Sequence, residues 1–202
     1  MKTIIENGSI WIDGALHQLN INIDDTGKID NLTPDVPEKG RTLKNVIDAK
    51  DCLVFPGGID AHAHIEDGAE RFFPGSCAAA AGGITTVVDM PPFHVCATPS
   101  GLGDRMKIAS QECVTDFSTH GGIVVELEDL LQVDGVASEG AAGFKVFMPA
   151  NPPVSRKVLW EAVQAAARTG LRMLVHAEEP ACLAADVDWA DPLGFANARP
   201  PV

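Results

Sequence analysis

Leu53-Val-Phe-Pro-Gly-Gly-Ile-Asp-Ala-His-Ala-His64 is an apolar run that ends in two histidines two residues apart. On an extended strand, residues i and i+2 project from the same face. Both imidazoles can then reach one ion, and imidazole suits zinc and similar metals. A bare His-x-His has a second reading, as two histidines hydrogen-bonded at a strand end. The stretch therefore has to be weighed with its surroundings.

Two further stretches share its design. Gly143-Phe-Lys-Val-Phe-Met148 carries Lys145 inside an apolar run, and Leu174-Val-His-Ala-Glu178 ends an apolar run in His176. An ammonium among apolar neighbours is costly unless it is paired or chemically changed. Lys145 can alternatively be a lysine whose head reaches solvent at the strand end. A lone histidine such as His176 can equally be a satisfied hydrogen-bond partner.

Between these stretches, strand and helix patterns alternate. Ser76 to Ala81 is Ala-rich and reads as helix, closed by Gly82-Gly83. Ile84-Thr-Thr-Val-Val-Asp89 is a β-branched strand run. Residues 102–113 and 127–137 read as helices, with a strand somewhere in 114–125 and another over 142–148. Ser155 is an N-cap for a helix with apolar residues at Val158, Leu159, Ala162, Val163 and Ala166, closed by Gly170. Leu171 to His176 is the next strand. Five β/α units about 30 residues apart imply parallel strands with helical crossovers. Such units gather their strand C-termini, and with them His62, His64, Lys145 and His176, at one face.

Residues 1–52 have β character instead. Thr3 to Glu6 and Ser9 to Asp13 flank Asn7-Gly8, a two-residue hairpin signal. Asp13-Gly14 and Thr26-Gly27 mark further turns. Asp35 to Lys44 is polar and contains proline, so it reads as a loop. Cys52-Leu-Val-Phe55 is expected to be a short buried strand continuing to Ile59. The first 52 residues are too few to hold much core alone, and the expected division is 1–52 and 53–202.

Composition narrows the function classes. The 202 residues suffice for a domain with a real core. Lys and Arg number 15 against 28 Asp and Glu, and no basic cluster occurs, which argues against a nucleic-acid partner. Five widely spaced cysteines without a CxxC pair argue against a disulfide framework or a thiolate zinc site. They favour a reducing compartment, so a cytoplasmic protein is expected. The N-terminus has no apolar signal core, and no uninterrupted apolar stretch is long enough for a membrane span.

The three motifs, in this order and spacing, resemble the amidohydrolase superfamily, and within it the cyclic-amide branch of dihydroorotases, allantoinases and hydantoinases. Pro56-Gly-Gly, the apolar Leu53-Val-Phe55 and Asp60 sharpen the match, and Gly82-Gly-Ile-Thr-Thr-Val-Val-Asp-Met-Pro91 looks like the family's second strand. The resemblance implies an α/β fold: a partial (β/α)8 TIM barrel of about five units, preceded by part of a small β-sandwich. It implies two divalent metal ions, zinc by ligand type, held by His62, His64, His176 and a CO2-derived carbamate on Lys145. Asp60 and Glu178 are expected as outer residues that orient the ligands. His17, His94 and His120 have no supporting pattern and read as ordinary residues.

The family also has a histidine on strand six and an aspartate on strand eight that serves as general base. Both are expected beyond Val202, so the chain resembles the N-terminal half of a longer, catalytically complete polypeptide that forms homo-oligomers. A non-catalytic truncated homologue acting as an assembly partner is the competing reading. Within the branch, Glu66 stands where dihydroorotases carry an arginine, and Pro92 where they carry asparagine. Ala97-Thr98 and Arg199-Pro200 look like allantoinases, whereas Phe93-His94-Val-Cys96 departs from their wording. The resemblance thus implies a small cyclic amide or ureide substrate, allantoin first. A dihydroorotase or a hydantoinase (dihydropyrimidinase) is the alternative.

Overall fold

The computed structural model describes residues 3–34, 45–65, 71–91, 95–124, 126–149 and 153–178. The expected loop at 35–44, Glu66, Pro92, Phe93, His94 and Arg199-Pro200 lie outside them. The fold is mixed α/β and divides into two compact units, Met1–Pro56 and Gly57–Val202.

The first unit is built from short strands: β1 (Thr3–Glu6), β2 (Ser9–Ile12), β3 (Ala15–Gln18), β4 (Asn20–Ile23), β5 (Ile29–Thr33), β6 (Asn45–Asp48) and β7 (Leu53–Val54). They form two sheets, ordered β5-β4-β1-β6 and β3-β2-β7. The hairpin expected at Asn7-Gly8 is absent, because β1 and β2 enter different sheets. A two-residue hairpin turn of this kind needs positive φ at both central residues. Asn7 has φ 64°, but Gly8 is not left-handed. Gly8 is small for another reason: a Cβ there would lie 2.7 Å from the Val54 side chain. The turn that does meet the requirement is Asp13-Gly14, with φ 50° and 83°, and it joins β2 to β3 with Ile12 opposite Ala15.

Ile4, Ile10 and Ile21 are buried in this unit. Asn22 is buried with them and satisfied, donating to Asn31 Oδ1 at 2.7 Å and Thr33 Oγ1 at 3.2 Å. The strand expected to run from Cys52 to Ile59 is broken. β7 is a two-residue strand whose one partner among the described residues is β2, and Leu53 is 59% exposed rather than buried. Pro56, which has no N–H to donate, falls in the break.

The second unit alternates strand and helix. Its elements are β8 (Gly58–Ala63), α1 (Phe72–Ala81), β9 (Ile84–Asp89), α2 (Pro99–Glu112), β10 (Asp116–Thr119), β11 (Gly121–Val124), a 3-10 turn (Glu128–Gln132), α3 (Val133–Ser138), β12 (Gly143–Phe147), α4 (Arg156–Thr169) and β13 (Arg172–His176). Two three-stranded sheets result, β10-β9-β8 and β11-β12-β13, and every pairing in them is parallel.

Local chemistry sets the helix ends. Ser155 Oγ accepts from Val158 N at 3.2 Å, and Gly170 closes α4 at φ 76°. Val158, Ala162, Ala165 and Ala166 form its buried stripe. α2 begins earlier than its apolar pattern suggests, because Thr98 caps it and Pro99 occupies its first turn. α1 also begins early, at Phe72. Pro74 and Gly75 conceal its start in the sequence, yet a first-turn proline gives up no intrahelical bond. Among the described residues no helix is long and apolar enough to cross a membrane.

Candidate active site

β8 carries the histidine pair. Its ladder with β9 advances three residues on β8, Asp60 to Ala63, for two on β9, Val87 to Asp89. Ala61 and His62 thus oppose a single residue, which is a β-bulge. Strict two-residue alternation does not run through the motif, and His64 lies just past the strand end. The bulge nevertheless leaves the two rings together, with centroids 5.4 Å apart and planes at 40°. Asp60 stabilises the irregular backbone, its Oδ1 accepting from His62 N at 3.0 Å.

β12 carries Lys145 in the centre of the other sheet, paired with β11 on one side and β13 on the other. Lys145 is 8% exposed and has no hydrogen bond or ion pair among the described residues. Burial pulls its ammonium below the usual lysine range. Phe147 pairs with His176 in the parallel register, so Lys145, two residues before Phe147, shares a sheet face with His176. The Phe147 and His176 rings pack 4.4 Å apart, and His176 Nε2 lies 2.9 Å from Glu178 Oε1.

The charges converge on His62. Its protonated form is disfavoured first by burial, then by Lys145 and His64, with Asp60 opposing and His176 adding to the effect. The two sheets therefore bring the four expected ligands into one electrostatic neighbourhood. Among the described residues, no group of three His, Cys, Asp or Glu side chains is close enough to hold a metal ion. Lys145 becomes an acidic donor only when carboxylated, and until then the histidine pair and His176 are separate donor groups. The donor chemistry fits divalent metal. His62 favours the neutral form that offers a lone pair. Burial of Lys145 disfavours the ammonium relative to the free amine, the form that reacts with CO2.

Beneath the pair lies a polar cluster that the motifs did not reveal. Asp89 ends β9 and is 1% exposed; Arg105, from α2, is 5% exposed. Arg105 Nε donates to Asp89 Oδ2 at 2.7 Å, and Nη2 contacts the same oxygen. The other carboxylate oxygen accepts from Ile65 N, directly after His64, at 3.3 Å. Thr119 donates to Asp89 as well, and Arg105 stacks 5.1 Å above the Phe72 ring. His120, read from the sequence as ordinary, is buried beside this cluster. The signals available were a carboxylate closing the apolar run Ile84–Asp89 and a histidine just past Asp116–Thr119.

No family model matches the chain. An allantoinase of Rubrobacter xylanophilus is 35% identical over 186 residues, 87% of this chain and 40% of that protein. A dihydroorotase of Methanosarcina acetivorans is 30% identical over 185 residues, 87% of this chain and 38% of that protein. The solved L-hydantoinase (dihydropyrimidinase) from Arthrobacter aurescens superposes with a TM-score of 0.83 at 28% identity, covering 98% of this chain and 47% of that one. The chain belongs to the amidohydrolase superfamily. Within it, the chain falls among the cyclic amidohydrolases, the group of allantoinases, dihydroorotases and hydantoinases. It spans less than half the length of each of these relatives.

Proposed function

We propose that this chain is part of a metal-dependent hydrolase that opens the C–N bond of a small cyclic ureide, allantoin first. The observation that carries the reading is the buried Lys145, without a partner among the described residues, in one electrostatic neighbourhood with a histidine pair and His176 on parallel strands. The six parallel-paired strands of the second unit and the 0.83 superposition support a partial (β/α)8 barrel. The two small sheets of the first unit are read as part of a β-sandwich. The four described cysteines, all free thiols, support a reducing, cytoplasmic setting.

His62 and His64 would present their lone pairs to one ion. The Lys145 amine would bond to CO2, lose a proton and become a carbamate able to bridge two ions. Glu178 Oε1 would accept a hydrogen bond from His176 Nε2–H, which leaves Nδ1 as the ligating nitrogen. When bound, two divalent ions, zinc by ligand type, would supply Lewis-acid polarisation and an acidified water. Asp60 holds the His62 backbone, its Oδ1 accepting from His62 N. The general base is not assigned to any residue of this chain.

The choice of allantoin rests on the Ala97-Thr98 wording, while the relatives support allantoinases, dihydroorotases and hydantoinases alike. Dihydroorotate and hydantoin or dihydropyrimidine rings are the alternatives. The test is ring opening of allantoin, dihydroorotate, hydantoin and dihydrouracil by the whole natural polypeptide, with metal content measured alongside. Turnover of one of them, lost in Lys145→Ala together with bound metal and the mass of one CO2, is the expected result. Turnover that survives Lys145→Ala overturns the carbamate reading.

A further inference from the structure

The bulge in β8 leaves backbone groups at Ala61 and His62 outside the regular ladder with β9. Buried or constrained backbone groups of this kind need partners from elsewhere. Asp60 supplies one, accepting from His62 N. The partner of the Ala61 carbonyl is His120, whose Nε2 lies 3.4 Å from Ala61 O. A carbonyl only accepts, so Nε2 carries the proton and donates.

The ring is held from the other side too. His120 is 5% exposed, and its Nδ1 is buried without a partner among the described residues. That nitrogen stands against the start of β12, where a Cβ on Gly143 would come within 3.1 Å of it. The backbone is equally fixed: His120 N donates to Asp89 O at 3.0 Å, and Ala142 N donates to Thr119 O at 2.9 Å. His120 thus fills the space between the strand that bears His62 and the strand that bears Lys145.

We propose that His120 is a positioning residue: its Nε2–H on the Ala61 carbonyl sustains the bulge that aims His62, and its ring sets the distance from β8 to β12. It touches no reacting atom. It acts through Ala61, one bond from a proposed ligand, so its consequence for metal binding rests on the reading given above, while its consequence for the strand does not.

The experiment compares the whole polypeptide with His120→Ala, His120→Gln and His120→Asn. Glutamine places an amide N–H near the Nε2 position, whereas asparagine is too short to do so. Backbone hydrogen exchange in metal-free protein is read over residues 58–65 and, as an internal control, over β13. Cobalt(II) alone is titrated and its visible absorption followed. In His120→Ala and His120→Asn, exchange over 58–65 should quicken roughly five- to tenfold with β13 unchanged. Cobalt affinity should fall about 10- to 100-fold. His120→Gln should restore both. Unchanged exchange over 58–65 in His120→Ala, or a glutamine variant no better than alanine, overturns the proposal. Should His120→Ala fail to fold, the glutamine and asparagine pair decides it. If the unsubstituted protein binds no cobalt yet the exchange pattern holds, His120's role stands and the metal reading falls.

Discussion

The two strands that carry the proposed ligands are built on opposite plans. β12 lies between two neighbours and keeps five consecutive residues in register with β13. Among the described residues β8 is paired on one side, and its ladder with β9 shifts twice within six residues. The regular, buried strand holds the lysine, and the irregular, exposed one holds the histidines. Each plan suits its passenger. Desolvation disfavours an ammonium relative to its reactive amine, and a central strand supplies it. Histidines need aim more than burial, and a bulge re-aims a side chain.

The contrast breaks first at Asp89. Asp89→Ala leaves Arg105 buried without its carboxylate and frees Ile65 N beside the histidine pair. Loss of one partner of a buried ion pair costs about 3–5 kcal/mol, to be read as a fall in the urea midpoint. A cost below about 1 kcal/mol, the range of surface pairs, would mean that the β8 side does not depend on this cluster.

On the β12 side the same kind of change should run the other way. Lys145→Met removes a buried charge that has no described partner, and it is expected to raise stability by about 1–3 kcal/mol while abolishing turnover. A destabilised Lys145→Met would show that the lysine already has a compensating partner. Gly143→Ala tests the seam between the two sides. Its Cβ would come within 2.9 Å of Arg172 O and 3.1 Å of His120 Nδ1, and backbone oxygen yields little, so a loss of about 1–3 kcal/mol is expected.

The smallest effect is alkaline. Burial pushes the Cys96 thiol up to about 11 from 9.0. A raised folded value disfavours the thiolate in the folded state, so this contribution is intact below pH 9 and fades as pH rises through about 11. Thermal unfolding from pH 8 to 11 should fall less steeply in Cys96→Ala than in the parent. Parallel curves would mean that the thiol titrates freely.

Legibility in the sequence followed the range of the interactions. Ser155 and Gly170 announced α4 because caps act within four residues. The apolar runs around His62, Lys145 and His176 announced strands β8, β12 and β13, because a strand's pattern is local, although Lys145 sits in the middle of its strand rather than at its end. The Asn7-Gly8 turn misled because turn chemistry cannot tell which sheet each flank will join, and β1 finds its partners in β4 and β6. Arg105, Asp89 and His120 stayed hidden for the same reason. Their partners lie 16, 24 and 59 residues away along the chain. The bulge at Ala61 and His62 was invisible too, since it exists only relative to β9.

The parallel pairing of β1 with β6 has a consequence for how the chain is made. β1 is synthesised well before its outer neighbour Asn45–Asp48, and β2 waits for Leu53–Val54. The sheet of β1 cannot be completed before Asp48 has been added, nor the sheet of β2 before Val54. Until then Ile4 and Ile10, which end up buried, sit on strands with open edges. Vectorial synthesis therefore leaves these early strands waiting with open edges until their late partners at residues 45–54 are made.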